Sequence, residues 1–244
     1  MDLDRAIDRR VGELDSDSTE VAEDAQYSLI AMGPAVLDEV IAATPRLGPF
    51  GQLCAIEVFT ALKDPRPAEV LIGLLDGASG TVRQWAAEAL AELGIRRAVP
   101  ALQRAYQAFR QSGEAPDDSE AVALRQALTD LGARQPVLPP RAAALRATSV
   151  ADLDPAWPTV HLAEVIEDLA AHAQAVLPFH VWQRRGDGTF GHHPGPGIDW
   201  TVDRRQSWAG IVAHCRDRAL LAAEATDPAP DLVAAVDWID VSDL

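Results

Sequence analysis

The chain has 244 residues, in which 37 acidic side chains outweigh 21 basic ones for a formal net charge of −16. That balance opposes attachment to phosphate backbones and anionic membranes, so it argues against a nucleic-acid binder or a membrane-surface protein. At 48% hydrophobic and 24% charged residues, the chain is long and apolar enough for a substantial core, which excludes a mini-protein and wholesale disorder.

The first 135 residues read as repeats. The segments Tyr27 to Ile41 and Glu88 to Tyr106 each run as an apolar helix, a glycine and a second apolar helix. Phe59 to Leu75 follows the same scheme with Lys63-Asp64 at the break, and a weaker fourth copy begins at Arg125 with its break at Gly132. The breaks at Gly33, Lys63, Gly94 and Gly132 are 30, 31 and 38 residues apart, enough for two helices of about a dozen residues and short turns. Helical phasing supports this reading. Val21, Ala25, Leu29 and Met32 form one stripe, and Val82, Ala86, Ala89, Leu90 and Leu93 form another, so each helix has one face to bury. Gly33 and Gly94 suit the left-handed closure of a helix, and Pro34, Pro67 and Pro100 suit the first turn of the next.

Residues 136–158 read as a proline-rich linker, with Pro136, Pro139, Pro140, Pro155 and Pro158. Composition then shifts: all six histidines and five of the six tryptophans follow residue 156. The spacing predicts a helix over 160–177, a β-hairpin from 179–184 and 189–193 around Gly186-Asp187-Gly188, a helix over 204–225 that buries Trp208, and a short helix over 231–239. The expected organisation is a repeat domain at 1–135, the linker at 136–158, and a Trp/His-rich, mostly helical domain at 159–244.

The segment 81–106 resembles a HEAT repeat of the short bacterial kind also found in phycobilin lyases. Val82, Arg83, Ala86, Ala89, Leu90, Leu93, Gly94, Ala98, Val99, Pro100 and Leu102 carry the likeness, while Gly80-Thr81 stand where that family has an Asp before the Val-Arg pair. The resemblance covers roughly residues 16–135 and implies a mainly α protein: a HEAT-like α-solenoid of helix hairpins, followed here by the small C-terminal domain. It implies a protein-binding scaffold, with lyases and DNA glycosylases as the enzymatic minority of the family.

Several clusters invite chemistry. His161, Glu164, Asp168 and His172 fall on one helical stripe, the ingredients of a metal or acid–base site but equally of a solvated face. His180, His192 and His193 lie close along the proposed hairpin without a carboxylate or thiol spaced to complete a metal set. The GDGTFGHHPGPG stretch lacks a phosphate-loop ending, no serine sits in GxSxG, and Cys54 occupies an apolar helical position. His214 and Cys215, as helical neighbours, point about 100° apart and cannot pair. No catalytic residue, metal site or cofactor is therefore assigned.

Two cysteines without CxxC spacing fit a reducing cytoplasm. The N-terminus lacks the basic and apolar runs of a signal peptide, and no window approaches eighteen consecutive apolar residues, so an unexported protein is expected. Twenty arginines against the single Lys63 fit a GC-rich bacterial genome. In such solenoids the second helix of each hairpin lines the partner-binding face. The candidate binding residues are accordingly Asp38, Glu39, Glu69 and Asp76 at an acidic end and Arg97 and Arg104 at a basic end. Trp182 and Trp200 are added as aromatic anchors. Acidic residues exceed basic ones both in 1–135 and in 136–244, so the expected partner is another protein, a basic one, with no nucleic acid and no membrane. The most specific form of this reading is an immunity protein that blocks a cationic toxin. The alternative is a lyase or glycosylase on the same repeats, or a metal-dependent enzyme using the His-rich half.

Overall fold

The computed structural model describes residues 3–116, 118–135, 137–147 and 155–244. The chain is mainly α-helical with a small antiparallel sheet. It divides into two compact units, Met1–Ser112 with Asp118–Gln135, and Gly113–Asp117 with Pro136–Leu244.

In the first unit α1 (Leu3–Glu13) is followed by α2 (Thr19–Met32), α3 (Leu37–Ala43), α4 (Pro49–Leu62), α5 (Ala68–Leu74), α6 (Gly80–Glu92), α7 (Val99–Ser112) and α8 (Ser119–Asp130). Helices α2, α4, α6 and α8 pack each against the next, while α3, α5 and α7 follow α2, α4 and α6 as shorter or return helices. The helix-breaking positions share a positive φ: Gly33, Lys63, Gly94 and Gly132 lie at 76°, 51°, 65° and 74°, but Gly33, with ψ −164°, is extended and not in the left-handed helical region expected of it. Glycine takes a positive φ freely; Lys63, closing α4 in the left-handed region, carries a Cβ into it.

Small side chains recur in the helix contacts among the larger apolar ones. Ala22, Ala25, Ala55, Ala86, Ala87 and Ala89 are all buried, and with no side chain beyond Cβ they let neighbouring helices approach closely. Val21 departs from its expected stripe: it is 40% exposed, and Ala22 and Gln26 join Ala25 and Leu29 in the core instead. Helix α1 was not among the expected elements. It buries Ile7 and Val11, with Leu14 just beyond its end, against the first helix pair, packing on α2 and α3. The fourth copy is half a repeat. Beyond α8 and Gly132 the first unit has no return helix among its described residues.

The continuous helical run Thr19–Arg46 has the length and, at a mean hydropathy of 1.2, the composition of a bilayer span. It is broken at Gly33–Val36 by a 3-10 turn, and Leu29, Val36, Leu37 and Val40 along it are buried in the protein core. These are the side chains that a packed helix pair takes into its core.

In the second unit, α9 (Pro140–Leu145) and β1 (Ala156–Pro158) fall within the stretch expected to be a linker; 148–154 lie outside the described residues. Then come α10 (Leu162–Ala171), β2 (Ala175–Val176), β3 (His180–Arg184), β4 (Phe190–His193), α11 (Trp208–Glu224), β5 (Leu232–Ala235) and β6 (Trp238–Ile239). Four strands form an antiparallel sheet in the order β1-β5-β3-β4, and β2 pairs with β6. The hairpin of β3 and β4 forms where the sequence places it, with Trp182 opposite His192.

Two expected helices are corrected. The one over 160–177 ends at Ala171, because Ala173 turns the chain at φ 56° and Ala175–Val176 pair with β6. The segment 231–239 is two strands, β5 and β6, with Leu232, Val233 and Ala234 buried in succession. A central strand covered on both faces shows no alternation, so its pattern matches that of a buried helix.

Three indoles tie the core of this unit together. Trp157 is fully buried and donates to the Ala142 carbonyl at 2.7 Å, Trp200 donates to Val176 at 3.1 Å, and half-buried Trp208 donates to Ala173 at 3.0 Å. Trp157 also meets Trp238 edge-on at 6.1 Å.

The left-handed Lys63 supplies a direct test. A Cβ in that region costs about 1–2 kcal/mol, against about 0.5–1 kcal/mol of extra chain entropy for glycine. Lys63→Gly is expected to stabilise the first unit by about 0.5–1 kcal/mol, read as a rise in the urea midpoint at constant m-value.

Candidate protein-binding site

Two of the candidate carboxylates on the return helices are paired with arginines of the chain itself. Asp38, in the first turn of α3, pairs with Arg66 at 3.0 Å, and Glu69, in the first turn of α5, pairs with Arg97 at 2.9 Å. Both contacts join a carboxylate to an arginine 28 residues on, at the turn before the next return helix. Arg66 also donates to the Pro34 carbonyl at 2.9 Å and to Asp64 at 3.2 Å, which pushes the Asp64 carboxyl below its ordinary value. These charges hold successive helix pairs in register. Arg104 donates to the Pro100 carbonyl of its own helix, while Glu39 and Asp76 are exposed.

Between α6 and α8 the polar contact is more buried. Glu120 receives both Nε and Nη2 of Arg83, each at 2.6 Å, and Arg83 also donates to the Gly77 carbonyl at 2.8 Å. The Glu120 side chain is 7% exposed and that of Arg83 26%. Gly80 makes room for this pair: a Cβ there would lie 3.0 Å from Glu120 Oε2. Gly80-Thr81 are also where the chain departs from the repeat pattern, and a carboxylate from the following helix serves Arg83 instead.

The two anchors differ. Trp200 is 5% exposed, packs edge-on against Phe179 and spends its indole N–H on Val176, so it is a core residue and leaves the candidate surface. Trp182 is half-buried, with His192 edge-on at 5.6 Å.

In the His161/Glu164/Asp168/His172 stripe the two carboxylates are engaged by α9. Glu164 pairs with Arg141, and Asp168 Oδ2 accepts the Ala142 backbone N–H at 2.8 Å, serving the N-terminus of α9. His172 Nδ1 lies 2.8 Å from its own helix's Asp168 carbonyl, and half-buried His161 sits in the turn before α10. The stripe fastens α9 to α10. The hairpin histidines split across the sheet: His192 lies opposite Trp182, but His193 lies opposite buried Val181, on the other face. Strand alternation thus leaves only His180 and His192 together, ring centroids 6.1 Å apart. Among the described residues no group of three or more His, Cys, Asp or Glu is placed to hold a metal ion. Burial pushes the Cys54 thiol up to about 11, with Glu57 and Glu23 adding to the shift, so it is not a nucleophile at neutral pH.

A surface that the sequence reading passed over lies on α2, α4 and α6. These helices carry Glu20, Glu23, Asp24, Glu57, Glu88 and Glu92 against the single base Arg83, which Glu120 already holds. Asp24 pairs with Arg10 at 2.9 Å, while Glu57 and Glu88 accept from the neutral amides of Gln26 and Gln84. Glu20, Glu23 and Glu92 make no hydrogen bond or ion pair with any described residue. Tyr27 is 66% exposed and Phe50 40%. Counting charge helix by helix, rather than over whole domains, would have found this face.

No protein-family profile matches the chain, and no curated protein matches it in sequence.

Two measurements test this account of the charges. Glu120→Gln leaves Arg83 without its carboxylate and should cost about 2–3 kcal/mol, less than the ~3–5 kcal/mol of a fully buried pair because Arg83 stays partly exposed. Glu69→Gln should cost at most about 0.5 kcal/mol; equal costs in urea unfolding would contradict the difference in burial.

The second concerns acid. Arg9, Arg66, Arg141 and Arg205 lower the carboxyls of Glu13, Asp64, Glu164 and Asp203, and Gln183 lowers Asp231. The folded chain therefore binds fewer protons than the unfolded one as these groups titrate. Their stabilisation is complete above the ordinary values of 3.8 and 4.5 and is lost as pH falls through the lower folded ones. Unfolding midpoints should hold between about pH 5 and 7 and drop steadily below about 4.

Proposed function

We propose that the chain is an acidic protein-binding scaffold whose first unit stacks its helix pairs as a HEAT-like α-solenoid, and that its partner is a basic protein. In its most specific form this is a cytoplasmic immunity protein that neutralises a cationic toxin. The observation that carries the reading is how the charges are used. Eight arginines, Arg9, Arg10, Arg66, Arg83, Arg97, Arg141, Arg205 and Arg216, are engaged by carboxylates of the chain itself. The acidic surplus of −16 therefore falls on exposed carboxylates such as Glu20, Glu23 and Glu92 that face solvent without a counter-charge.

A field of one sign over an extended helical surface speeds encounter with a partner of the other sign and disfavours like-charged competitors. The repeated Asp38–Arg66 and Glu69–Arg97 contacts support stacking in a fixed register, as a repeat scaffold requires. A glycosylase would need a cationic groove for DNA, and α2, α4 and α6 supply the opposite charge.

The full chain passed over immobilised lysozyme, a basic protein, should be retained at low salt and released as ionic strength shortens the Debye length from about 30 Å to about 8 Å. Over immobilised duplex DNA it should run through. Retention on DNA and not on lysozyme would overturn the proposal.

A further inference from the structure

We infer that the cationic partner docks on the outer face of the α2–α4–α6 layer, with Tyr27 and Phe50 as its anchors, and not on the return helices. This rests on the reading of the chain as a binder of a basic protein and adds the place of contact.

The repeat itself defines the face. Positions in α2 recur 30 residues on in α4, and those of α4 recur 31 residues on in α6, as Leu29, Phe59 and Leu90 do in the core. The same steps on the opposite side of the helices give one row of Glu20, Phe50 and Thr81, a second of Glu23, Leu53 and Gln84, and a third of Tyr27, Glu57 and Glu88. None of these nine positions holds a Lys or Arg, and four hold Glu.

The aromatic exposure is independent of the charge. Among the described residues, the large hydrophobic side chains left exposed include two aromatic ones, Tyr27 and Phe50, and both fall in these rows. An exposed ring on a face that carries carboxylates suits an arginine or lysine: the cation stacks on the ring face while a carboxylate of the same face pairs with its N–H groups. Such aromatic anchors are the side chains that dominate binding energy at protein interfaces.

The return-helix side offers no comparable field. Asp38 and Glu69 are paired there with Arg66 and Arg97, and the exposed Glu39 and Asp76 are offset by the exposed Arg96 and Arg104. A cationic partner meets a field of one sign on one side of the helix layer and mixed charge on the other.

The test uses the full chain with fluorescein-labelled deca-arginine as probe, followed by anisotropy at low salt. Three variants are compared with the parent, each checked for an unchanged melting curve. Glu20→Gln/Glu23→Gln/Glu88→Gln and Asp38→Asn/Glu39→Gln/Glu69→Gln remove the same charge from the two sides, and Tyr27→Ala/Phe50→Ala removes the anchors at constant charge. The first variant should weaken binding about tenfold, close to 1.4 kcal/mol, the second less than about twofold, and the third about threefold or more. Equal losses from the two charge variants would reduce the effect to net charge and overturn the docking face while leaving a basic partner intact. A larger loss from the second variant would move the site to the return helices, and no loss from the third would remove the anchors. Failure of the parent chain to bind the probe would overturn the basic partner and the face together.

Discussion

A pair of helices about a dozen residues long cannot bury both of its apolar faces, and the first unit is organised by that requirement. Each pair leans on the next through alanines that bring α2, α4 and α6 close, so the core runs continuously from Ile7 to Leu131. The two ends of such a row are its difficulty, since the outermost pairs lack a neighbour on one side. At the N-terminal end α1 meets the demand, laying Ile7, Val11 and Leu14 over the first pair. At the other end α8 stands without a return helix of its own among the described residues and packs against both α6 and α7. Polar contacts ride on this apolar core and set register. Exposed pairs such as Glu69–Arg97 add little energy apiece but discriminate against a slipped stack, whereas the Arg83–Glu120 contact is enclosed enough to matter for stability.

The second unit solves a different problem. Its interior combines aliphatic side chains such as Leu162, Val165, Ile166 and Leu169 with buried tryptophans, whose indole N–H groups gain from an acceptor once out of water. Trp157, Trp200 and Trp208 find theirs on backbone carbonyls at Ala142, Val176 and Ala173. Those carbonyls lie on α9, β2 and the turn after α10, so the indoles stitch together segments that share little sequence proximity. The acidic stripe of α10 is used in the same way: Asp168 and Glu164 hold the short helix α9 in place.

The four helix breaks, the stripes around Leu29 and Leu90, and the β3–β4 hairpin were legible because each rests on a local rule: a residue at positive φ, a 3.6-residue period, a Gly-Asp-Gly turn. What escaped was decided by distant partners. Ala175 and Val176 continue a good helical pattern and leave it only because β6 pairs with them. Leu232 to Ala234 carry no alternation because the strand is covered on both faces. Helix α1 was overlooked because it stands outside the repeat, although Ile7, Val11 and Leu14 carry helical spacing. Trp182 and Trp200 look alike in sequence, and only packing separates a half-exposed ring from a core one. The pairing of the charges was hidden for a related reason: Asp38 and Glu69 look free until arginines 28 residues away come beside them.

The recurrence of that 28-residue contact bears on how the chain can change its length. Arg66 and Arg97 meet their carboxylates through the same spacing and the same place on the return helix, so the junction between one helix pair and the next is standardised. A segment of about thirty residues can be duplicated or excised in the middle of the row while the new neighbours meet across an already tested joint. The number of helix pairs in the first unit is therefore open to adjustment by recombination in whole units, leaving α1 and α8 untouched.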